Sequence, residues 1–251
     1  MVLGGEGDYS VTVNTTEVVE FIRSSDPPSF GGLPTGRASA VGGMLGNATL
    51  VCGGYAKVQN DSIFDSCLTF ENPQWKESHS MTDRRAGPAG VQINSTTFWI
   101  LGGMSYNYYW VPLDSTEFIH DGQTKGVLGP TLPYKMTGMC AVKLSAEEIF
   151  LIGSHTGHNE SVWIFNPQNG FTKRKGPSLI TKRICHSCSI MNDGGKTVIV
   201  VAGGYNHDSY LSEATDPISS GNNFLDSVEI YDPTDNAWYQ GDHYGLIFTF
   251  N

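Results

Sequence analysis

Val201-Ala202-Gly203-Gly204 is an apolar run that closes on a doubled glycine. The same ending returns at Val2-Leu3-Gly4-Gly5, Val51-Cys52-Gly53-Gly54, Ile100-Leu101-Gly102-Gly103 and, with serine in the last place, Leu151-Ile152-Gly153-Ser154. The interval is 49 to 51 residues. A period of that length marks stacked copies of one supersecondary unit, each too small to bury its own faces. It runs through all 251 residues without a visible linker, which predicts a single domain over 1–251.

Around each glycine pair the pattern reads as four short strands. In the second repeat Ala38 to Met44 turns at Gly46-Asn47 into Thr49-Leu50-Val51-Cys52, and a polar loop follows the glycines. A third strand lies around Ser66-Cys67-Leu68-Thr69-Phe70, then a turn at Asn72-Pro73 and a fourth strand from Trp75. The third strand recurs at Val18 to Ile22, Thr116 to Ile119, Val162 to Phe165 and Val228 to Tyr231, alternating apolar with polar or mixed residues. Asn72-Pro73, Asp121-Gly122, Asn166-Pro167 and Asp232-Pro233 close those strands, where Asn or Asp bonds the backbone and proline presets a turn dihedral. Thirty glycines, twelve prolines and 16% charged residues suit many strands and tight turns, and helix is expected to be nearly absent.

An apolar run ending in Gly-Gly, a third strand ending in an aromatic, Asp-Pro or Asn-Pro, then tryptophan: this combination resembles the kelch repeat. The fifth copy, Val201-Ala202-Gly203-Gly204 with Val228-Glu229-Ile230-Tyr231-Asp232-Pro233 and Trp238, is near-consensus alone. The resemblance implies an all-β fold, a β-propeller of four-stranded antiparallel blades. Five repeats imply either a five-bladed ring, closed by Leu246-Ile247-Phe248-Thr249-Phe250 beside Met1-Val2-Leu3, or a truncated six-bladed one. The columns are uneven. The aromatic place holds Ile22, Phe70, Ile119, Phe165 and Tyr231, and the tryptophan place Trp75, Phe171 and Trp238 with no clear member in the first and third repeats.

A formal charge of −10 argues against nucleic acid, since Lys173-Arg174-Lys175 and Arg84-Arg85 alone approach a basic cluster and read as solvated turns. No run of 18 apolar residues predicts insertion in a membrane. Read literally, a chain starting in strand at Met1 with no basic leader points to the cytosol. Five Asn-x-Ser/Thr sequons, at Asn14, Asn47, Asn60, Asn94 and Asn159, all where the repeat places turns, point instead to a secreted, N-glycosylated protein. Cys52 and Cys67 flank one loop on neighbouring antiparallel strands and are either a disulfide or two buried thiols. Cys140 and Cys188 hold equivalent places in successive repeats, Cys185 is left over, and the pairing of these three stays open.

No catalytic constellation emerges, and no cofactor is expected. Cys185-His186-Ser187-Cys188 sits in an expected strand, where residues three apart face opposite sides and do not coordinate together. Galactose oxidase is the enzyme most similar in fold to the resemblance, but nothing in the sequence gathers its tyrosines, histidines and cysteine. What stands out are the loops after the glycine pairs: Tyr55; Tyr106, Tyr108, Tyr109 and Trp110; His155 and His158; Tyr205, His207 and Tyr210. Tyrosine and tryptophan offer large contact area at low entropy cost. The resemblance implies that these loops share one face and bind a protein or glycan partner. It also implies arginines on that face, for which Arg37, Arg85 and Arg183 have matching phase. The leading expectation is a non-enzymatic extracellular binding module, with a cytosolic scaffold as the alternative.

Overall fold

In the computed structural model the described residues are 2–6, 12–17, 31–56, 62–206 and 223–241. They form two compact units, Met1–Lys135 and Met136–Asn251, and each contains two four-stranded antiparallel sheets whose strands are hydrogen-bonded in chain order. Helix is confined to short 3-10 turns among the described residues, as at Pro167–Asn169. Asn166 caps that turn as foreseen, its side chain accepting from the amides of Gln168 and Asn169.

In the first unit, Val41–Leu45, Ala48–Cys52, Ser66–Glu71 and Gln74–Ser80 form one sheet. Ala89–Asn94, Thr97–Leu101, Thr116–His120 and Val127–Leu128 form the next. In the second unit the sheets are Cys140–Lys143, Ile149–Ile152, Val162–Asn166, Thr172–Lys175 and Ser187–Asp193, Lys196–Ala202, Val228–Asp232, Ala237–Gln240. The first strand of the second repeat thus starts at Val41 rather than Ala38, because Ala38 pairs instead with Tyr55 beyond the glycines. Lys173-Arg174-Lys175 lies in an exposed outermost strand, not a turn. The Val2–Glu6 strand runs on through Gly4-Gly5 and pairs with Thr12–Glu17. The third strand expected at Val18 to Ile22 and the closing segment Leu246 to Phe250 lie outside the described residues.

The apolar runs before the glycines have a simple cause: they are second strands, covered on both faces. Thr97–Leu101 and Ile149–Ile152 are buried at every residue, which favours continuous apolar sequence over alternation. In Ala48–Cys52 the pleat divides the burial, with Leu50 and Cys52 meeting Phe98, Ile100 and Ile119 of the next sheet while Val51 packs with Leu33, Leu68 and Trp75. Phe98 reaches so far across that a Cβ on Gly43 or Gly90 would fall 2.3 or 2.6 Å from its ring, so both positions need glycine. The second unit packs Phe150, Ile152, Val162 and Ile164 against Ile199, Val201, Tyr231 and Trp238. Trp238 fixes its indole by donating to the carbonyl of Pro177 at 3.0 Å. Where the tryptophan is missing, the outer strand shrinks to Val127–Leu128, with both side chains exposed.

Two disulfides brace these sheets. Cys52 pairs with Cys67 directly across two strands of one sheet, and Cys140 with Cys188 joins the first strands of two sheets. Cys185 is free.

Candidate functional site

The doubled glycine is where frame and loops meet. Gly53, Gly102 and Gly203 have φ of 68°, 56° and 67°, and Gly54, Gly103 and Gly204 have 88°, 93° and 84°, a region side chains avoid. A Cβ on the second glycine would lie 2.7 Å from the carbonyl of Ala38, 2.9 Å from that of Ala86 or 2.5 Å from that of Ile184. The pair therefore turns the chain sharply against the segment leading into its own repeat. In the fourth repeat only Gly153 keeps a positive φ, and Ser154 is tolerated there.

Arg37, Arg85 and Arg183 occupy that lead-in, and the expectation that they face a partner is corrected. Their exposures are 4%, 0% and 0%. Each places Nη1 on the first glycine's carbonyl, at 3.0, 2.9 and 2.8 Å, and on the carbonyl of a serine before the third strand or at its start, at 3.1, 2.9 and 3.1 Å. Nη2 donates to the hydroxyls of those serines, Ser66, Ser115 and Ser227. In two repeats a carboxylate completes the clamp: Glu117 accepts from Arg85 at 2.8 Å, and Glu229 from Arg183 at 2.9 Å, both glutamates fully buried. Glu117 also accepts from the amides of Thr82 and Asp83, and Glu229 from those of Ile180 and Thr181.

The other two repeats vary this theme consistently. Leu68 and Trp163 replace the glutamate, and the residue matching Thr82 and Ile180 is Pro34 or Pro133, which has no amide hydrogen to offer. Met136 replaces the arginine of the fourth repeat, while in the second no carboxylate among the described residues bonds Arg37. Burial pulls the Arg37 guanidinium down to about 10 against the opposing field of Glu77, and the group lies 4.2 Å over the ring of Phe64.

Beyond the glycines the chain forms short two-stranded hairpins, Tyr55–Ala56 with Ser62–Ile63, Met104–Tyr106 with Trp110–Pro112, and Tyr205–Asn206 with Asn223–Phe224. In the first unit this gathers residues far apart in sequence. Tyr55 and Trp110 meet at 6.0 Å and 78°, and Tyr106 meets Trp110 at 5.6 Å and 65°. At the tip Tyr108 is 91% exposed with φ of 62°, and Tyr109 is 68% exposed. Tyr55 thus belongs to the aromatic cluster rather than merely covering a strand end.

In the second unit Tyr205 pairs with Phe224 at 6.2 Å, and the Cys185 thiol lies 3.9 Å from the Tyr205 hydroxyl. Burial pushes the Tyr205 hydroxyl and the Cys185 thiol upward, so neither ionises readily. His155 and His158 are both exposed in the loop after Ser154. Phe224, 74% exposed, was missed by sequence reading. Its place is on the hairpin's return strand, opposite the residue that follows the second glycine, where the first unit has Ile63 and Pro112. His186 is buried, and desolvation, then the nearby Arg183 charge, lowers it to about 4 against the opposing pull of the Ile152 and Arg183 backbone.

The sequons divide by accessibility. Asn47 and Asn94 are exposed, and the Asn94 side chain accepts from the Thr96 amide and hydroxyl. Asn159 is only 7% exposed, unlike the accessible loop position expected for it. Asn60, His207, Tyr210 and the side chain of Asn14 lie outside the described residues. Of the Cys185-to-Cys188 motif, the second cysteine is committed to Cys140 and the first precedes the strand.

Comparison with known proteins agrees with this geometry. Residues 195–241 match the family model of the kelch motif. No curated protein matches the sequence. Among solved structures the chain is similar to that of YjhT, a kelch-type propeller, with a TM-score of 0.69 at 14% identity, covering 84% of this chain and 72% of the other. The likeness is one of fold: an all-β propeller built of four-stranded antiparallel sheets.

Proposed function

We propose that this kelch-repeat β-propeller is an extracellular recognition module that acts by binding rather than catalysis. Kelch propellers serve generally in protein interaction. The observation carrying the reading here is the cluster of exposed Tyr106, Tyr108, Tyr109 and Trp110 with half-buried Tyr55, assembled from two hairpins just beyond the glycine pairs. Rigid aromatic groups on a braced frame are what a contact surface needs, since little entropy is lost on docking.

Arg85 with Glu117 and Arg183 with Glu229 are fully buried and engaged in holding loops to sheets. Four cysteines in two disulfides, together with exposed Asn47 and Asn94, support an oxidising compartment.

The test is a capture experiment with cell-surface and secreted proteins and glycans. Changing Tyr108, Tyr109 and Trp110 together to Ser is expected to abolish capture and leave the melting temperature unchanged. Capture that survives removes the hairpin from the site. Intact mass of material from its native source, before and after glycosidase and reductant, tests the compartment. Absence of both glycan and disulfide refutes it.

A further inference from the structure

Resting on that reading, we infer that the hairpin Met104–Tyr106 with Trp110–Pro112 binds uncharged glycans, with pyranose rings stacking on its aromatic side chains. Between Gly103 and Leu113 there is no Asp, Glu, Lys, Arg or His. The polar groups of the segment are Ser105, the Asn107 amide, three tyrosine hydroxyls and one indole N–H, all neutral hydrogen-bonding partners. A neutral pyranose carries the complementary chemistry, a C–H face for an aromatic ring and hydroxyls around its rim.

Charge decides against acidic glycans. The hairpin offers no cation, and the chain's −10 repels polyanions. Shape suits a ligand that stacks on open rings. The rings project instead of lining a recess: Tyr108 and Tyr109 are exposed at the apex, and two concavities of the molecule, along Ala40–Val51 and beside Glu148 and Arg174, include no hairpin residue. Stacking needs only a ring and neighbouring neutral donors and acceptors. The three rings at the base meet at steep angles and brace Trp110, which keeps 42% of its surface exposed.

The experiment titrates the full chain with cellohexaose, laminarihexaose, chitohexaose and mannohexaose, and with oligogalacturonate as the acidic counterpart, by calorimetry and tryptophan fluorescence. Saturable binding of a neutral oligosaccharide is expected, weakened more than about tenfold by Tyr108→Ala or Trp110→Ala. Tyr108→Phe should retain stacking, and affinity should be unchanged by raising salt to about 0.5 M. Lack of binding to every neutral sugar, preference for oligogalacturonate, or binding indifferent to the hairpin variants overturns the assignment. If hairpin variants lose capture of a protein stripped of its glycans, the recognition role stands and the glycan assignment falls.

Discussion

A buried ion differs in worth according to what it leaves behind when its partner is removed. Arg183 and Glu229 are both fully buried and mutually bonded, so Arg183→Met strands a carboxylate and is expected to cost about 3–5 kcal/mol in urea denaturation. Among the described residues Arg37 has no carboxylate within ion-pair distance, and the chain itself places Met136 at the equivalent position. Arg37→Met strands no charge but orphans the Gly53 carbonyl, and should therefore cost about 1–3 kcal/mol, less than Arg183→Met. A loss equal to that of Arg183→Met would refute this account. His186 gives a second prediction. Its folded value near 4 lies below the ordinary value near 6.5, so between these limits the unfolded chain binds the extra proton. Stability should fall as pH drops from about 6.5 to about 4, by no more than about 3 kcal/mol, and His186→Ala should flatten that part of the profile. Thermal melts at both ends of the window measure it.

At the scale of elements, the glycine pair is a hinge point with two separate demands. The first glycine turns the chain, and the second must also let the lead-in backbone pass. Gly204→Ser, at φ of 84° with a Cβ 2.5 Å from the carbonyl of Ile184, should cost more than about 2 kcal/mol. Serine already sits at the matching place of the fourth repeat, where φ is not positive, so Ser154→Gly should change little. Chemical denaturation of the two variants checks the contrast. The hairpins explain what sequence could and could not yield. Period, turns and aromatic loops were legible because each rests on local chemistry, as at Asn166 and Gly53-Gly54. The burial of Arg37, Arg85 and Arg183 was not, because their partners, the glycine carbonyls and Ser66, Ser115 and Ser227, lie 16 to 44 residues away. Nor could turn composition reveal that Asn159 packs inward while Asn47 and Asn94 face solvent.

For the molecule as a whole, the two disulfides constrain loops of unequal length. Cys52–Cys67 spans 15 residues inside one sheet, and Cys140–Cys188 spans 48 and ties one sheet to the next. In the chain-entropy model their removal should cost about 3 and about 4 kcal/mol. Calorimetry of the paired Cys→Ala variants is expected to show the larger loss for the longer loop. Equal melting temperatures for both would refute that ordering.

The pairing of glutamate with an amide, or of proline with its absence, has a consequence for how such repeats are inherited. A copy carrying Thr82 with Glu117 and a copy carrying Pro34 with Leu68 are each self-consistent. A crossover between those positions would join Pro to Glu, or an amide donor to Leu, and leave a buried group unsatisfied. Recombination between repeats can therefore succeed only when the exchanged segment reaches from the lead-in loop to the third strand. The block that evolution can shuffle is thus offset from the sheet itself, beginning before its first strand and closing inside its third.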